Sequence, residues 1–189
     1  MSALHDMPAR SVYVRLQIDT NRINARGALP SMNQLEKWRS DGVIEILTSH
    51  VAFTEMRRGG SAARSRKTEG MIFSLTQATT SGETEQLGRI QRILFPDGAQ
   101  TENEKNDVEI VFNAMKYMAI LVTNDGGSNR QPGGMLGNRS ALKRALGVRI
   151  MSDTETAEYI REKIDERDEM ARMIARQTRA PLPDWIGRD

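Results

Sequence analysis

The sequence predicts an α/β domain in which a central, mainly parallel sheet is flanked by helices. Strand-like runs of β-branched and apolar residues alternate with stretches whose apolar residues recur at helical spacing. One run, MAILVT (Met118–Thr123), is apolar almost throughout, as a parallel strand covered on both faces requires. Glycine and proline mark the changeovers between these stretches.

In chain order, Ser11 to Ile18 (SVYVRLQI) is expected as the first strand and runs into Asp19. Pro30 or Ser31 can open a helix, which Gly42 stops after Asp41. Val43 to Ser49 is a second strand, and VAFTEMRR (Val51–Arg58) is a short helix holding Glu55. From Gly59 to Gly70 the chain is small, basic and polar, which predicts an exposed loop or a frayed helix. Met71 to Thr79 is compatible with strand or helix. Thr84 to Leu94 is helical, with Leu87, Ile90, Ile93 and Leu94 on one face, and Pro96, Asp97 and Gly98 break it.

Glu102 to Tyr117 places Val108, Val111, Phe112 and Met115 at helical spacing. The MAILVT strand follows and opens into a glycine-rich loop, NDGGSNRQPGGMLGN. Arg139 to Leu146 is a helix with Gly147 as its stop, and Val148 to Ser152 is a final strand. Thr154 to Arg176 is a long charged helix, in which Ile160, Ile164, Met170 and Ile174 are expected to pack against the domain. A partner interface shared with Trp185 is the alternative for that helix. The tail, with Pro181, Pro183 and Trp185, either folds back over the surface or reaches a partner. At 189 residues one compact domain is expected, because two would be cramped.

Composition narrows the chemistry. There is no cysteine, which excludes disulfides, thiol catalysis and cysteine-ligated zinc. His5 and His50 are the only histidines, so a histidine-rich metal site and a Ser/His/Asp triad are both poorly supplied. Carboxylates are left as the catalytic groups by elimination. No apolar stretch approaches the length of a membrane-spanning helix, and the N-terminus lacks the layout of a signal peptide. A cytoplasmic protein with no membrane association is the expectation. The net charge of +2 is too small to imply nucleic-acid binding by itself. Its distribution says more: Arg57, Arg58, Arg64, Arg66 and Lys67 crowd one stretch, and Arg139, Lys143, Arg144 and Arg149 form a second. Such patches attract a phosphate backbone, with solvated helix faces as the ordinary alternative.

In open parallel sheets the functional crevice lies at the carboxyl ends of the strands. Asp19 directly follows the first strand, and Asp125 closely follows MAILVT. Glu55 sits on the helix after the second strand, and Asp107 lies near the start of the helix that feeds MAILVT. These acids can converge on one edge of the sheet. Gathered carboxylates repel one another, and a hard cation such as Mg²⁺ or Mn²⁺ cancels that repulsion and prefers oxygen ligands. The chemistry suits phosphodiester hydrolysis without a histidine. Each acid also has an ordinary role open to it: Asp19 and Asp125 as turn or capping residues, Asp107 near a helix N-terminus, Glu55 on the surface.

At these residues the chain resembles the PIN-domain family of metal-dependent nucleases. LQIDTNRIN resembles the family's opening motif, an apolar strand followed by Asp-x-Asn, and aligns Asp19 and Asn21. GVIEILTSHVAFTEM resembles the second block, a strand leading into a helix that carries Glu55. NDVEIVFNAMKYMAILVTND resembles the third, aligning Asp107, Ala114, Thr123 and Asp125. The blocks stand in the family's order from about residue 11 to about residue 160. After Asp125, where many relatives carry another acid, this chain has Gly126, Gly127, Ser128 and Asn129. Residues 59–100 match no pattern of the family.

The resemblance implies a Rossmann-like PIN domain over residues 1–189 and Mg²⁺- or Mn²⁺-dependent cleavage of single-stranded RNA. It implies Asp19, Glu55, Asp107 and Asp125 as metal ligands, with Asn21 and Thr123 orienting them. Arg57, Arg58, Arg64, Arg66 and Lys67 are the candidates for RNA phosphates. Many small PIN proteins are toxins, commonly homo-oligomers held by a protein antitoxin, and that role is implied alongside RNA processing or defence. A non-catalytic binding module and a flap or single-strand DNA nuclease are the alternatives.

Overall fold

The computed structural model describes residues 6–23, 27–58, 72–74, 77–126 and 133–189, and of residues 56–58 and 72–74 it describes the backbone. Within these residues, β1 (Arg15–Ile18), β2 (Glu45–Ser49), β3 (Ile72–Ser74), β4 (Ile120–Val122) and β5 (Arg149–Met151) form one five-stranded sheet. Every pairing is parallel, in the order β3-β2-β1-β4-β5. The expected α/β architecture, a Rossmann-like parallel sheet flanked by helices, is the one observed. The chain winds outward from β1 through β2 to β3, then returns to lay β4 on the other side of β1. The β1/β4 border is therefore a topological switch point, where diverging connections leave a crevice at the strands' carboxyl ends.

The alternation of side chains along each strand splits the core in two. Leu16, Ile18, Ile120 and Val122 face one layer, together with Met32, Leu35 and Trp38 of α1 (Pro30–Ser40) and Ile160 and Ile164 of α6 (Asp153–Thr178). Leu121 and Ile150 face the other layer, built from α2 (His50–Arg58), α3 (Ser81–Leu94), α4 (Glu102–Lys116) and α5 (Arg139–Leu146). Phe112 and Trp38 are among the largest fully buried side chains, each contributing roughly 1.5–3 kcal/mol by removal from water.

Local chemistry sets the helix limits. Pro30 opens α1 at a position that needs no amide hydrogen, and Gly42 leaves it at φ 75°, a left-handed conformation costly for other residues. Thr101 and Glu104 form a capping box at the start of α4, and Ser152 and Glu155 form another at the start of α6. Gly147, at φ 73°, ends α5.

Five expectations need correction. The first strand is shorter than Ser11–Ile18, because Tyr13 takes a left-handed φ of 54° and interrupts the ladder. Val12 N still donates to Val43 O (2.9 Å), so the chain runs alongside β2 without regular pairing. Val43–Ser49, MAILVT and Val148–Ser152 likewise trim to β2, β4 and β5. On α6, Met170 is 52% exposed, while Ala157 and Ala171 join Ile160, Ile164 and Ile174 in the core. Met170 precedes Ala171 by one residue, about 100° round the helix and off the buried stripe.

The tail folds back. Asp189 pairs with Arg10 (2.5 Å) and with Arg167 (3.0 Å), and Arg167 also pairs with its neighbour Asp168 (2.6 Å). The Arg167 guanidinium lies 4.3 Å from the Trp185 ring centroid, and Gly187 N donates to Asp168 Oδ2 (2.8 Å). Among the described residues no helix is long and apolar enough to cross a membrane.

Candidate functional site

The sheet itself aims the acids. Ile18 is paired with Val122, and the ladder continues one step further, with Asp19 N donating to Val122 O (3.0 Å) and Thr123 N to Met151 O (3.1 Å). Asp19 and Thr123 thus leave neighbouring strands side by side at the switch point. Asp125 follows two residues later. Glu55 comes down from α2, which leaves β2 toward the crevice, and Asp107 faces it from α4. The electrostatic neighbours of Asp107 are Asp125, Asp19, Glu55 and Glu104, so the structure brings all four expected acids within range of one another.

Asp19 is 3% exposed and accepts three hydrogen bonds of 2.6 Å, from Thr20 N, Asn21 Nδ2 and Thr123 Oγ1. Burial nevertheless pushes its carboxyl up to about 6; the bonds from Thr123 and Thr20 pull down, and the charges of Glu55 and Asp125 add to the rise. It is also the cap of a short 3-10 turn, Thr20–Arg22, so the capping role and the site role coincide in one side chain. Asp107, on the half-buried flank of α4, is pushed up to about 7, first by burial and then by the surrounding carboxylates. Among the described residues no hydrogen bond offsets that rise.

Asn21 and Thr123 hold the arrangement together. Asn21 Nδ2 also reaches Thr123 Oγ1 (3.2 Å), and Asn21 Oδ1 accepts from Asn124 N (3.1 Å). Thr123 Oγ1 accepts from Asp125 N (3.0 Å) while donating to Asp19. Two further residues escaped the sequence reading. Thr20 Oγ1 donates to Glu55 Oε2 (2.7 Å), and Asn106 Nδ2 donates to Glu55 Oε1 (2.6 Å). The signal available in the sequence was adjacency alone: Thr20 follows Asp19 and Asn106 precedes Asp107.

Asp125 is steered by the far end of the glycine-rich loop. Met135 N donates to Asp125 Oδ2 (2.8 Å) and Leu136 N to Asp125 O (2.9 Å). This needs glycine at the loop's neck. A Cβ on Gly126, itself at φ 76°, would stand 2.8 Å from Gly134 N, and one on Gly134 would overlap the Asp125 carboxylate. The space beside this neck is a cleft of about 310 Å³ lined by Leu94, Phe95, Asp107, Asp125, Gly133, Gly134 and Met135. A cleft of about 400 Å³ at the opposite end of the sheet, beside Tyr13, Met118 and Tyr159, has no carboxylate in its lining.

The donor set suits a hard divalent cation: oxygen ligands only, with like charges crowding two of them. As the side chains lie, no three acidic or imidazole groups among the described residues already form a chelate. Both Glu55 oxygens accept a hydrogen bond, from Thr20 and Asn106, and each keeps a lone pair for a cation. Of the expected phosphate contacts, Arg57 and Arg58 end α2, two and three residues past Glu55, and their side chains lie outside the described residues. Arg64, Arg66 and Lys67 lie outside them altogether. In the second basic cluster, Arg139 is paired with Glu155 (2.7 Å) and Arg149 lies over the Tyr159 ring (4.1 Å).

No family model matches the chain, and no curated protein matches it. Among solved structures it is similar to VapBC2 from Rickettsia felis bound to a DNA fragment from their promoter, at 18% identity and a TM-score of 0.48, over 74% of this chain and 98% of that chain. It is similar also to FitAB bound to an IR36 DNA fragment, at 16% identity and a TM-score of 0.44, over 73% of this chain and 94% of that one. Both likenesses are distant, and the chemistry of the site follows from its own geometry.

Proposed function

We propose that this chain is a metal-dependent endoribonuclease that hydrolyses single-stranded RNA in the acidic crevice, with Asp19, Glu55, Asp107 and Asp125 holding Mg²⁺ or Mn²⁺. One observation carries the proposal: four carboxylates from four separate segments converge on the switch point of a parallel sheet, where burial and mutual repulsion hold Asp19 and Asp107 well above the usual carboxylate range. Such an arrangement costs folding free energy, and a site that binds a cation recovers it. When bound, the ion offsets phosphate charge and makes water a better nucleophile near neutral pH.

The chain's own groups supply the rest. Thr123 and Asn21 orient Asp19, Thr20 and Asn106 orient Glu55, and the Met135 amide orients Asp125. Asp107 receives no such hydrogen bond among the described residues, and the charge of a cation is what would offset the crowding of its carboxylate by Asp125, Asp19 and Glu55. Arg57, Arg58, Arg64, Arg66 and Lys67 are assigned to the RNA backbone on charge. A toxin role, with a protein antitoxin and a homo-oligomeric state, belongs to the same proposal and rests on the resemblance of the motifs to PIN nucleases.

A non-catalytic module is the second reading, favoured by the side chains as they lie, in which no three acids or imidazoles among the described residues form a ready chelate. One experiment separates them. Purified protein is incubated with labelled single-stranded RNA and single-stranded DNA in Mn²⁺, Mg²⁺ or EDTA, beside a variant carrying Asp19→Asn and Asp125→Asn. Metal-dependent RNA cutting that vanishes in the variant supports the nuclease. Folded, metal-supplied protein that cuts neither strand supports the module, and cutting confined to DNA moves the substrate to DNA.

A further inference from the structure

We propose that the cleft beside the acidic site is a nucleobase subsite, in which the base flanking the scissile phosphate lies against Phe95. The inference rests on the nuclease reading for its substrate and on the cleft's own walls for its chemistry. Leu94, Phe95 and Met135 supply apolar wall, Gly133 and Gly134 supply side-chain-free backbone, and Asp107 and Asp125 close the end shared with the acidic crevice. About 310 Å³ is at the small end of the range for a small-molecule site, enough for one planar heterocycle and its sugar.

The charges choose which part of a polynucleotide enters. Phosphate is repelled by Asp107 and Asp125 wherever no cation stands between them, whereas a base is uncharged and offers a flat face to Phe95. Its edge carries N–H donors that carboxylates accept. The carbonyls of Gly133 and Gly134 are already engaged, because Asn138 Nδ2 donates to both and Asn138 N donates to Gly134 O (3.0 Å). An apolar side chain from a protein partner would fill the walls but offer the two carboxylates no hydrogen-bond donor.

Phe95 is also held in place before any ligand arrives. It is the residue that ends α3, its amide donates to Gln91 O (2.7 Å), and its carbonyl accepts from Gly98 N (2.9 Å) across the Pro96–Asp97 turn. Part of the side chain packs against the core cluster that contains Ile90, Leu94 and Phe112, and it still reaches the cleft lining. A ring fixed in this way loses little freedom when a base stacks on it.

The test has two arms. In the first, adenosine, guanosine, cytidine and uridine are titrated in EDTA into protein with labelled methyl groups. Chemical shifts of the Leu94 and Met135 methyls are expected to move saturably, and to stop moving in Phe95→Leu, which keeps apolar bulk and removes the aromatic face. In the second, a single abasic residue is walked along an RNA substrate. Cleavage at one neighbouring bond is expected to fall about 5- to 150-fold in the wild type, the worth of one stacked base, and to be insensitive to that residue in Phe95→Leu. Leu94 and Met135 signals that ignore every nucleoside, or cleavage indifferent to every abasic position, would overturn the subsite while leaving a nuclease standing. Nucleoside binding at these methyls in a protein that cuts nothing would keep the base site and remove the nuclease reading.

Discussion

Replacing Asp107 by asparagine is expected to stabilise the protein at neutral pH while abolishing cleavage. The carboxyl is pushed from 3.8 to about 7 in the folded chain, first by burial and then by Asp125, Asp19, Glu55 and Glu104. The folded-state value lies above the unfolded one, so folding favours the protonated form. The carboxyl therefore costs nothing below about pH 4, and stability is lost as pH rises through about 7. At 1.36 kcal/mol per pH unit, the ceiling on this loss is about 4 kcal/mol. Asp107 is only partly buried, and water screening brings the expected cost down to about 1–2 kcal/mol.

Asparagine has nearly the same shape and cannot ionise, so it escapes the penalty. The assay is thermal unfolding by circular dichroism in EDTA, for wild type and Asp107→Asn, from pH 4 to pH 8. The difference in Tm is expected to widen in favour of the variant with rising pH and to level off above about pH 7.5, at roughly 2–8 °C relative to its value at pH 4. Adding Mn²⁺ at pH 7.5 should raise the Tm of the wild type and do much less for the variant. A difference that does not change with pH would refute the account of Asp107 as an acid crowded by acids. A variant that loses ground as pH rises would refute it equally.

Two other perturbations test the scaffold of the site and the clasp of the tail. Thr123→Val keeps the shape and removes the hydroxyl that donates to Asp19 and accepts from Asp125 N. Denaturant unfolding should show a loss of about 1–3 kcal/mol, and because Thr123 holds the Asp19 carboxyl down, the acid limb of the cleavage profile should move to higher pH. Wild-type stability and an unmoved profile would mean that the threonine orients nothing. Arg167→Met removes a cation whose side chain is 5% exposed and which is shared by Asp168 and Asp189, leaving two acids without it. A loss of about 3 kcal/mol is expected by urea unfolding, with cleavage retained, since the cluster lies on the tail side of α6. A change below about 0.5 kcal/mol would make the pairs superficial.

Much of the fold could be read along the chain because its causes are local. Pro30, Gly42, Gly147 and the apolar spacing of Val108, Val111 and Phe112 act on their own turns, so α1, α4 and α5 fall within a residue of expectation. Asp19 and Asp125 were legible for the same reason, each standing just past an apolar run that had to become a strand. Strand length was less legible, because Tyr13 and Met118 take left-handed φ of 54° and 52° ahead of β1 and β4, which no spacing of apolar residues signals. Residues 59–70, read as an exposed loop or frayed helix, lie outside the described residues.

The order of residues dictates the kind of element over most of the chain, residues 59–79 excepted, and the supply of oxygen ligands in a chain with no cysteine and almost no histidine. That β1 and β4 lie side by side, and with that the meeting of Asp19, Thr123 and Asp125, comes from the packing of the whole domain. Periodicity records which face of a segment seeks the core and carries no record of which strand will be its neighbour. The same limit hid Thr20 and Asn106, polar residues of no distinctive spacing until α2 and α4 bring Glu55 between them. It also hid the neck at Gly126 and Gly134, where two backbones touch because the sheet and α5 hold both ends of one loop.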